Sequence, residues 1–297
     1  MSYTEDMILC DDGFLLIDMK SSKVMKFGFD GKFLYSSGEL GRANNEYLRP
    51  LDICLSSDKK QYVLLDETGL LYYNITDGHF IKKEKIFDKD QYWNKLIIDK
   101  ENNIFGFAPF DKNTMVCISA NNETVPLRKY KCYQSISRKF YIYNDIVHVL
   151  PDWGDYSIAY YDNGQLKTKY IIDFGKDVIP QDWAPQTSKE YEEKDHHYNL
   201  FRDITEACET NKYLLLMAVG PDNIWYNVLY NKDTGKTYVG SSLKSCGHQI
   251  IGAKGDYVYL LVIPHLLKED SELFDFWKNI DLQGNENPFV VKIRIKG

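Results

Sequence analysis

Residues 23–36 read KVMKFGFDGKFLYS. Two β-like runs, Lys23 to Phe29 and Lys32 to Ser36, flank Asp30-Gly31. Asp-Gly between such runs suits a type I′ hairpin, whose two central residues both take φ > 0. The device recurs at Asp77-Gly78, Asn121-Asn122, Asn163-Gly164 and Thr234-Gly235. Apart from one longer gap these turns lie about 40 to 50 residues apart, the period expected of propeller blades.

Aligning the chain on the turns gives a run before each one: Leu70 to Thr76, Thr114 to Ala120, Tyr156 to Asp162 and Tyr226 to Lys232 join Lys23 to Phe29. A sixth, Phe289 to Ile295, closes the chain before Lys296-Gly297. Upstream of each lies a more continuously apolar run, from Phe14 to Ile17 in the first set to Tyr257 to Ile263 in the last. Unbroken apolarity implies burial on both faces, as in a blade held between neighbours. Before these come Glu5 to Leu9, Leu51 to Leu55, Lys95 to Asp99, Lys139 to Tyr143, Ile204 to Glu209 and His248 to Ala253. Six such sets predict an all-β, six-bladed β-propeller of four-stranded antiparallel blades. The blades fall at roughly 5–40, 47–88, 94–130, 137–174, 203–243 and 247–297, in one domain spanning 1–297. Two insertions, about 176–202 and 265–287, are predicted to carry short helices on one face.

The sixth set lacks a fourth strand. Met1 to Thr4 is too short to supply it once Glu5 to Leu9 serves the first blade. The expectation is a sixth blade of three strands, or with a very short fourth, whose outer edge is exposed.

Composition agrees with this class. Of 297 residues, 44% are hydrophobic and 14% aromatic, enough for a sizeable core rich in strand formers. The 43 Asp and Glu outnumber 36 Lys and Arg, and the net charge of -7 opposes non-specific nucleic-acid binding. No apolar run reaches the length of a membrane span, and Ser2, Tyr3, Thr4, Glu5 and Asp6 after Met1 do not form an export signal. Cys10, Cys54, Cys117, Cys132, Cys208 and Cys246 are scattered without a C-x-x-C pair. They read as buried or half-buried thiols, and their even number leaves a disulfide, and the redox compartment, open.

The stretch FLLIDMKSSKVMKFGFDGKFLYSSGELGRANNEYLRPLDICL, residues 14–55, resembles the opening blades of a six-bladed propeller family common in gut Bacteroidetes and related in layout to NHL-repeat propellers. Gly41, Glu46 and Tyr47 match its Gly-rich turn ending in Glu-Tyr, although Ala43-Asn44-Asn45 replaces the usual Gly-Pro-Gly. TEACETNKYLLLMAV, VLYNKDTGKTY and ENPFVVKIRIKG extend the likeness over nearly the whole chain. The resemblance implies a periplasmic or cell-surface location, since many members are exported lipoproteins, and supplies no mechanism.

Motifs for a nucleophile elbow, a phosphate loop, a zinc helix or a dinucleotide turn do not occur. His196-His197 lies in a charged, helix-like stretch where adjacent residues do not face one ligand. His148, between Val147 and Val149, reads as structural, and His79 as exposed. Propeller geometry puts the connections from second to third strands, and from fourth strands to the next blade, on one face. By that register Trp93, Trp153, Trp183, Trp225 and Trp277 share this face with Arg42, Glu46, Tyr47 and Arg49 of the Gly41 to Pro50 loop. Such an aromatic, polar-rimmed surface suits a glycan or protein partner. These nine residues are the candidate binding site of a non-catalytic recognition module without a cofactor. The alternative is a hydrolase or lyase at the mouth of the axial channel. There Asp52, Asp203 and Glu206, near Glu5 and Asp6 on the inner strands, would hold a divalent cation such as calcium.

Overall fold

The computed structural model describes residues 4–18, 21–86, 92–132, 138–180, 183, 185–187, 189–190, 193, 199–242, 248–263 and 288–295. Six antiparallel sheets follow one another along the chain, each a meander of consecutive strands, and the fold is the all-β six-bladed propeller. The first sheet comprises β1 (Thr4–Leu9), β2 (Gly13–Asp18), β3 (Lys23–Gly28) and β4 (Phe33–Ser37). The second holds β5 (Pro50–Leu55), β6 (Gln61–Asp66), β7 (Gly69–Asn74) and β8 (Phe80–Glu84), and the third β9 (Lys95–Ile98), β10 (Ile104–Phe107), β11 (Met115–Ile118) and β12 (Thr124–Arg128). The fourth holds β13 (Phe140–Tyr143), β14 (Ile146–Val149), β15 (Ser157–Asp162) and β16 (Gln165–Ile171), and the fifth β17 (Asp203–Glu209), β18 (Tyr213–Val219), β19 (Trp225–Asn231) and β20 (Thr237–Ser242). Among the described residues the sixth has three strands, as its sequence set predicts: β21 (His248–Lys254), β22 (Tyr257–Val262) and β23 (Phe289–Arg294). Helix is scarce. Lys189, Glu190 and Glu193 are helical within the first insertion, and the second insertion lies outside the described residues.

The chain's contacts gather into two compact units, Met1–Lys131 with Asn144–His148 and Tyr160–Lys167, and Cys132–Tyr143 with Val149–Ala159 and Thr168–Gly297. Within the first, the opening strands β1, β5 and β9 lie side by side. Successive strand residues point to opposite faces, so the run Tyr62 to Leu65 of β6 sends Tyr62 and Leu64 toward the first sheet and Val63 and Leu65 toward the third. Tyr62 and Leu64 pack with Leu15, Ile17 and Val24. Val63 and Leu65 pack with Leu96, Ile98 and Val116. The continuous apolarity of the second strands therefore records two packed faces, and each such side chain contributes about 1.5–3 kcal/mol on burial. Lys26, itself buried, reaches Asp12 and the Ile75 carbonyl at 2.7 and 2.9 Å, fastening the first sheet to the hairpin of the second.

The second unit repeats the scheme with β13, β17 and β21 adjacent. Leu214, Leu216 and Ala218 of β18 pack with Tyr141 and Ile158 of the fourth sheet, whereas Met217 packs with Ile250, Val258 and Leu260 of the sixth.

The hairpin turns differ from the expected type. Of the five turns singled out in sequence, only Asn163-Gly164 has φ > 0 at both positions, 48° and 84°. At Gly31, Gly78, Asn122 and Gly235 the second residue alone is left-handed. The loops are longer: Gly78 N–H donates to the Asn74 carbonyl and Asn74 N–H to the His79 carbonyl. Here the Asp serves through its side chain, since Asp30 and Asp77 accept the N–H groups of Lys32 and His79.

One glycine explains a close approach between blades. A Cβ on Gly106 of β10 would come within 2.2 Å of the Trp93 ring. Gly106→Ala is therefore expected to destabilise the protein by about 1–3 kcal/mol, the usual cost of overpacking. Urea denaturation measures this, and an unchanged midpoint would show that Trp93 does not rest on the strand.

Candidate functional site

The Gly41 to Pro50 loop is fixed from beneath. The Tyr47 ring is 0% exposed and packs with Leu15, Ile17, Ile53 and Tyr62, while its hydroxyl donates to the Ser22 carbonyl. Glu46 accepts the Ala43 N–H at 2.8 Å. The buried Asp66 carboxylate accepts the N–H groups of Leu48 and Arg49 at 3.0 and 2.9 Å, and the Lys83 ammonium donates to the Glu46 carbonyl at 3.0 Å. Tyr47 thus anchors the loop from within, with no exposed face, and the half-buried Glu46 braces its backbone. Arg42, Asn44, Asn45, Leu48 and Arg49 stand exposed above that frame.

The tryptophans are largely filler. Trp93 is 2% exposed, wedged between the second and third sheets with Leu65 and Leu96. Trp153 is 5% exposed and packs with Cys132 and Ile179, and Trp183 and Leu200 close the same cluster as partly buried neighbours. Trp225 opens β19 opposite Val219 and packs, half-buried, against the cluster of Cys208, Met217 and Ile250. Trp277 lies outside the described residues. Trp93 and Trp153 are covered so far by their neighbours that their rings serve packing.

Exposed rings do occur on the loop side of the first unit, and they are Tyr92 and Phe110, at 40% and 57%. With Leu40 and Leu48, also exposed, they come from inter-blade or second-to-third connections, and Tyr92 donates its hydroxyl to Glu67 at 3.1 Å. Glu67 adjoins Asp66, the acceptor of the Leu48 and Arg49 N–H groups, so this bond ties the ring to the residue next to the loop's anchor. The signal available in sequence was their position in these connections, but Tyr and Phe are too numerous to single out by type. Next to the loop, Asn44, Thr68, Phe80, Lys82, Lys83 and Lys85 line an open cleft of about 360 Å³.

The acids of the inner strands have partners. Asp6, Asp52 and Glu206 each follow a β-bulge in β1, β5 and β17. Asp52 accepts the Leu96 N–H of the next blade at 2.6 Å, and Glu206 accepts the Ile250 N–H of β21. Lys95 donates to Asp6 and lies 3.5 Å from Asp52. Burial raises the Asp52 carboxyl well above the ordinary Asp value, Lys95 opposes this and Asp6 adds to it. Arg138 donates to the Ile250 and Ile251 carbonyls at 2.7 and 2.8 Å. Asp203 is buried on β17. Among the described residues no three His, Cys, Asp or Glu side chains gather in a metal-holding group.

A further cluster has no local sequence signal because its members come from distant strands. Glu209, at the end of β17, accepts from the Tyr141 and Tyr170 hydroxyls at 2.7 and 2.9 Å, from Lys169 at 2.9 Å and from Lys232 at 2.5 Å. Both ammonium groups lie over the Tyr143 ring, 4.7 and 4.1 Å from its centroid. Cys10, Cys54, Cys117, Cys132 and Cys208 are buried free thiols. Burial pushes Cys10 and Cys208 up to about 12 and Cys117 to about 11, so these thiols are poor nucleophiles. His148 is buried with Nδ1 3.0 Å from the Ile146 carbonyl, a structural histidine as expected.

Burial alone would raise Glu209, yet the lysine and tyrosine donors hold it below its ordinary 4.5. A depressed carboxylate contributes stability that is present above the unfolded value and lost as pH falls through the folded one. Wild-type stability should therefore drop more steeply than that of Glu209→Gln between about pH 5 and pH 3. Urea midpoints across that range test it, and parallel curves would contradict it.

A family profile described as Domain of unknown function (DUF4934) matches residues 1–293. No curated protein matches the chain. The crystal structure of a Bacteroides fragilis protein titled a candidate exported protein superposes with a TM-score of 0.78 at 15% identity, covering 100% of this chain and 91% of that one. Virginiamycin B lyase from Staphylococcus aureus gives 0.55 at 9% identity, covering 88% and 78%. Hydrazine synthase from Kuenenia stuttgartiensis gives 0.53 at 12% identity, covering 98% and 86%. At these identities the likeness is one of fold, and function must come from the site.

Proposed function

We propose, from the premise that the chain belongs to the DUF4934 family, that it is a non-catalytic recognition module binding a glycan or protein partner through its Gly41 to Pro50 loop. The observation that carries this reading is the contrast within that loop. Its backbone is held by Tyr47, Glu46, Asp66 and Lys83, whereas Arg42, Asn44, Leu48 and Arg49 are exposed, as is the Tyr92 ring bonded to Glu67. A loop ordered before its ligand arrives loses little entropy on binding. Exposed aromatic and aliphatic groups rimmed by arginines also have the composition favoured at interfaces.

The candidate export of the Bacteroides fragilis protein supports a periplasmic or cell-surface location. A hydrolase or lyase using Asp52 and Glu206 receives no such support, because both carboxylates accept backbone N–H groups from the following blade.

Thermal-shift screening against a glycan panel, with divalent ions as a parallel arm, would find the ligand. Arg42→Ala or Arg49→Ala should then weaken its binding by about 1 kcal/mol or more while leaving the melting temperature unchanged. Wild-type affinity in both variants would refute the loop as the binding surface.

A further inference from the structure

Beside the loop, the cleft of blade two collects three lysines and no acid among its described lining residues. Lys82 and Lys83 are neighbours on β8, where side chains alternate between faces, and Lys85 follows just past its end. Lys82 shares the face of Tyr72 and Lys83 that of Phe80, and all three lysines contribute atoms to the wall of one cavity with the loop residue Asn44 and the β6 to β7 residue Thr68.

Each lysine is differently engaged. Lys83 is anchored, donating to the Glu46 carbonyl and lying 3.9 Å from Asp66. Lys82 sits 4.3 Å from the Tyr72 ring centroid and pairs at 2.6 Å with Glu84, whose carboxylate is itself exposed. An exposed pair of this kind is worth little and exchanges readily for another anion. Lys85 is exposed and has no hydrogen-bond or ion-pair partner among the described residues. In a chain with net charge -7, a cavity walled by three cations runs against the overall field.

The neutral lining narrows the ligand class. Phe80 offers a ring, braced edge-on by Tyr73 at 5.7 Å, and Asn44 and Thr68 offer an amide and a hydroxyl. A ring that stacks on the apolar face of a sugar, polar groups that reach its hydroxyls and ammonium groups that meet its charge together match an acidic saccharide. We infer that this cleft binds the anionic groups, carboxylate or sulfate, of an acidic glycan. The inference rests on the recognition-module reading and deepens it.

Isothermal titration at low salt tests it with four probes: a hexamer of galacturonate, a heparin hexasaccharide, neutral cellohexaose and hexaglutamate. At least one anionic sugar should bind and outcompete cellohexaose, and the tighter of the two identifies carboxylate or sulfate as the preferred group. Lys82→Ala and Lys85→Ala should each weaken it about ten-fold, the loss expected for one charge-assisted hydrogen bond. Lys85→Arg should retain most of the affinity, and added salt should reduce it. Both alanine variants lie on the surface, so circular dichroism and melting temperature should match the wild type.

Cellohexaose binding as tightly as the acidic sugars would overturn the inference. So would hexaglutamate binding more tightly than either sugar, or wild-type affinity in the Lys82→Ala/Lys85→Ala double variant. Failure of both anionic sugars to bind overturns the cleft assignment alone. The wider reading also covers a protein partner and is judged separately by Arg42→Ala and Arg49→Ala.

Discussion

The strands β5, β9, β17 and β21 open four separate sheets, so each lacks a hydrogen-bonded neighbour strand on its inner edge. A buried backbone N–H left without an acceptor costs about 1–3 kcal/mol. The chain meets this constraint with a carboxylate from the preceding blade, Asp52 for the Leu96 N–H and Glu206 for the Ile250 N–H. In both cases the acid follows a β-bulge, opposite Leu65 in one sheet and Met217 in the other. The extra residue turns the strand so that the acid aims along the row of inner strands rather than into its own sheet. Lys95 and Arg138 complete the arrangement by donating to acids and carbonyls two blades away, Lys95 to Asp6 and Arg138 to Ile250.

This constraint shapes how the inner acids are understood. Carboxylates along a propeller's inner strands suggest catalysis or metal binding when only their residue type is known. Here the oxygens of Asp52 and Glu206 have structural duties. The raised Asp52 carboxyl follows mainly from burial, with Lys95 and Asp6 pulling in opposite directions. A shifted acid is therefore weak evidence for an active site when a backbone donor already occupies it. The Gly41 to Pro50 loop is equally well supplied with hydrogen bonds in its frame, while its Arg42, Asn44, Asn45, Leu48 and Arg49 side chains stand exposed.

Sequence disclosed the blades because strand burial leaves a local record. Tyr62 to Leu65 is apolar at successive positions since both faces of β6 are covered. The turn geometry was less legible. Asp-Gly specifies a reversal, but whether Asp contributes a positive φ or a side-chain acceptor depends on loop length, which Asn74 and His79 set by pairing with each other. The packing role of two tryptophans was hidden for a related reason. Trp93 and Trp153 occupy loop-face connections as their register implied, yet their large rings are the natural filler for gaps that Gly106 and Ile179 leave. Glu209 and its two lysines could not have been found locally, since the cluster draws on β13, β16, β17 and the end of β19.

The central claim is that a carboxylate after a bulge replaces the missing strand neighbour of the next blade. Amide hydrogen exchange at Leu96 and Ile250 tests it most directly. In the wild type both amides should exchange slowly. Asp52→Ala should speed Leu96 and Glu206→Ala should speed Ile250, each by about ten-fold or more and without a matching change at the other site, because a local opening is exchanged for a permanently unpaired group. Rapid exchange of both amides in the wild type, or equal protection in the variants, would show that these carboxylates do not hold the blades together.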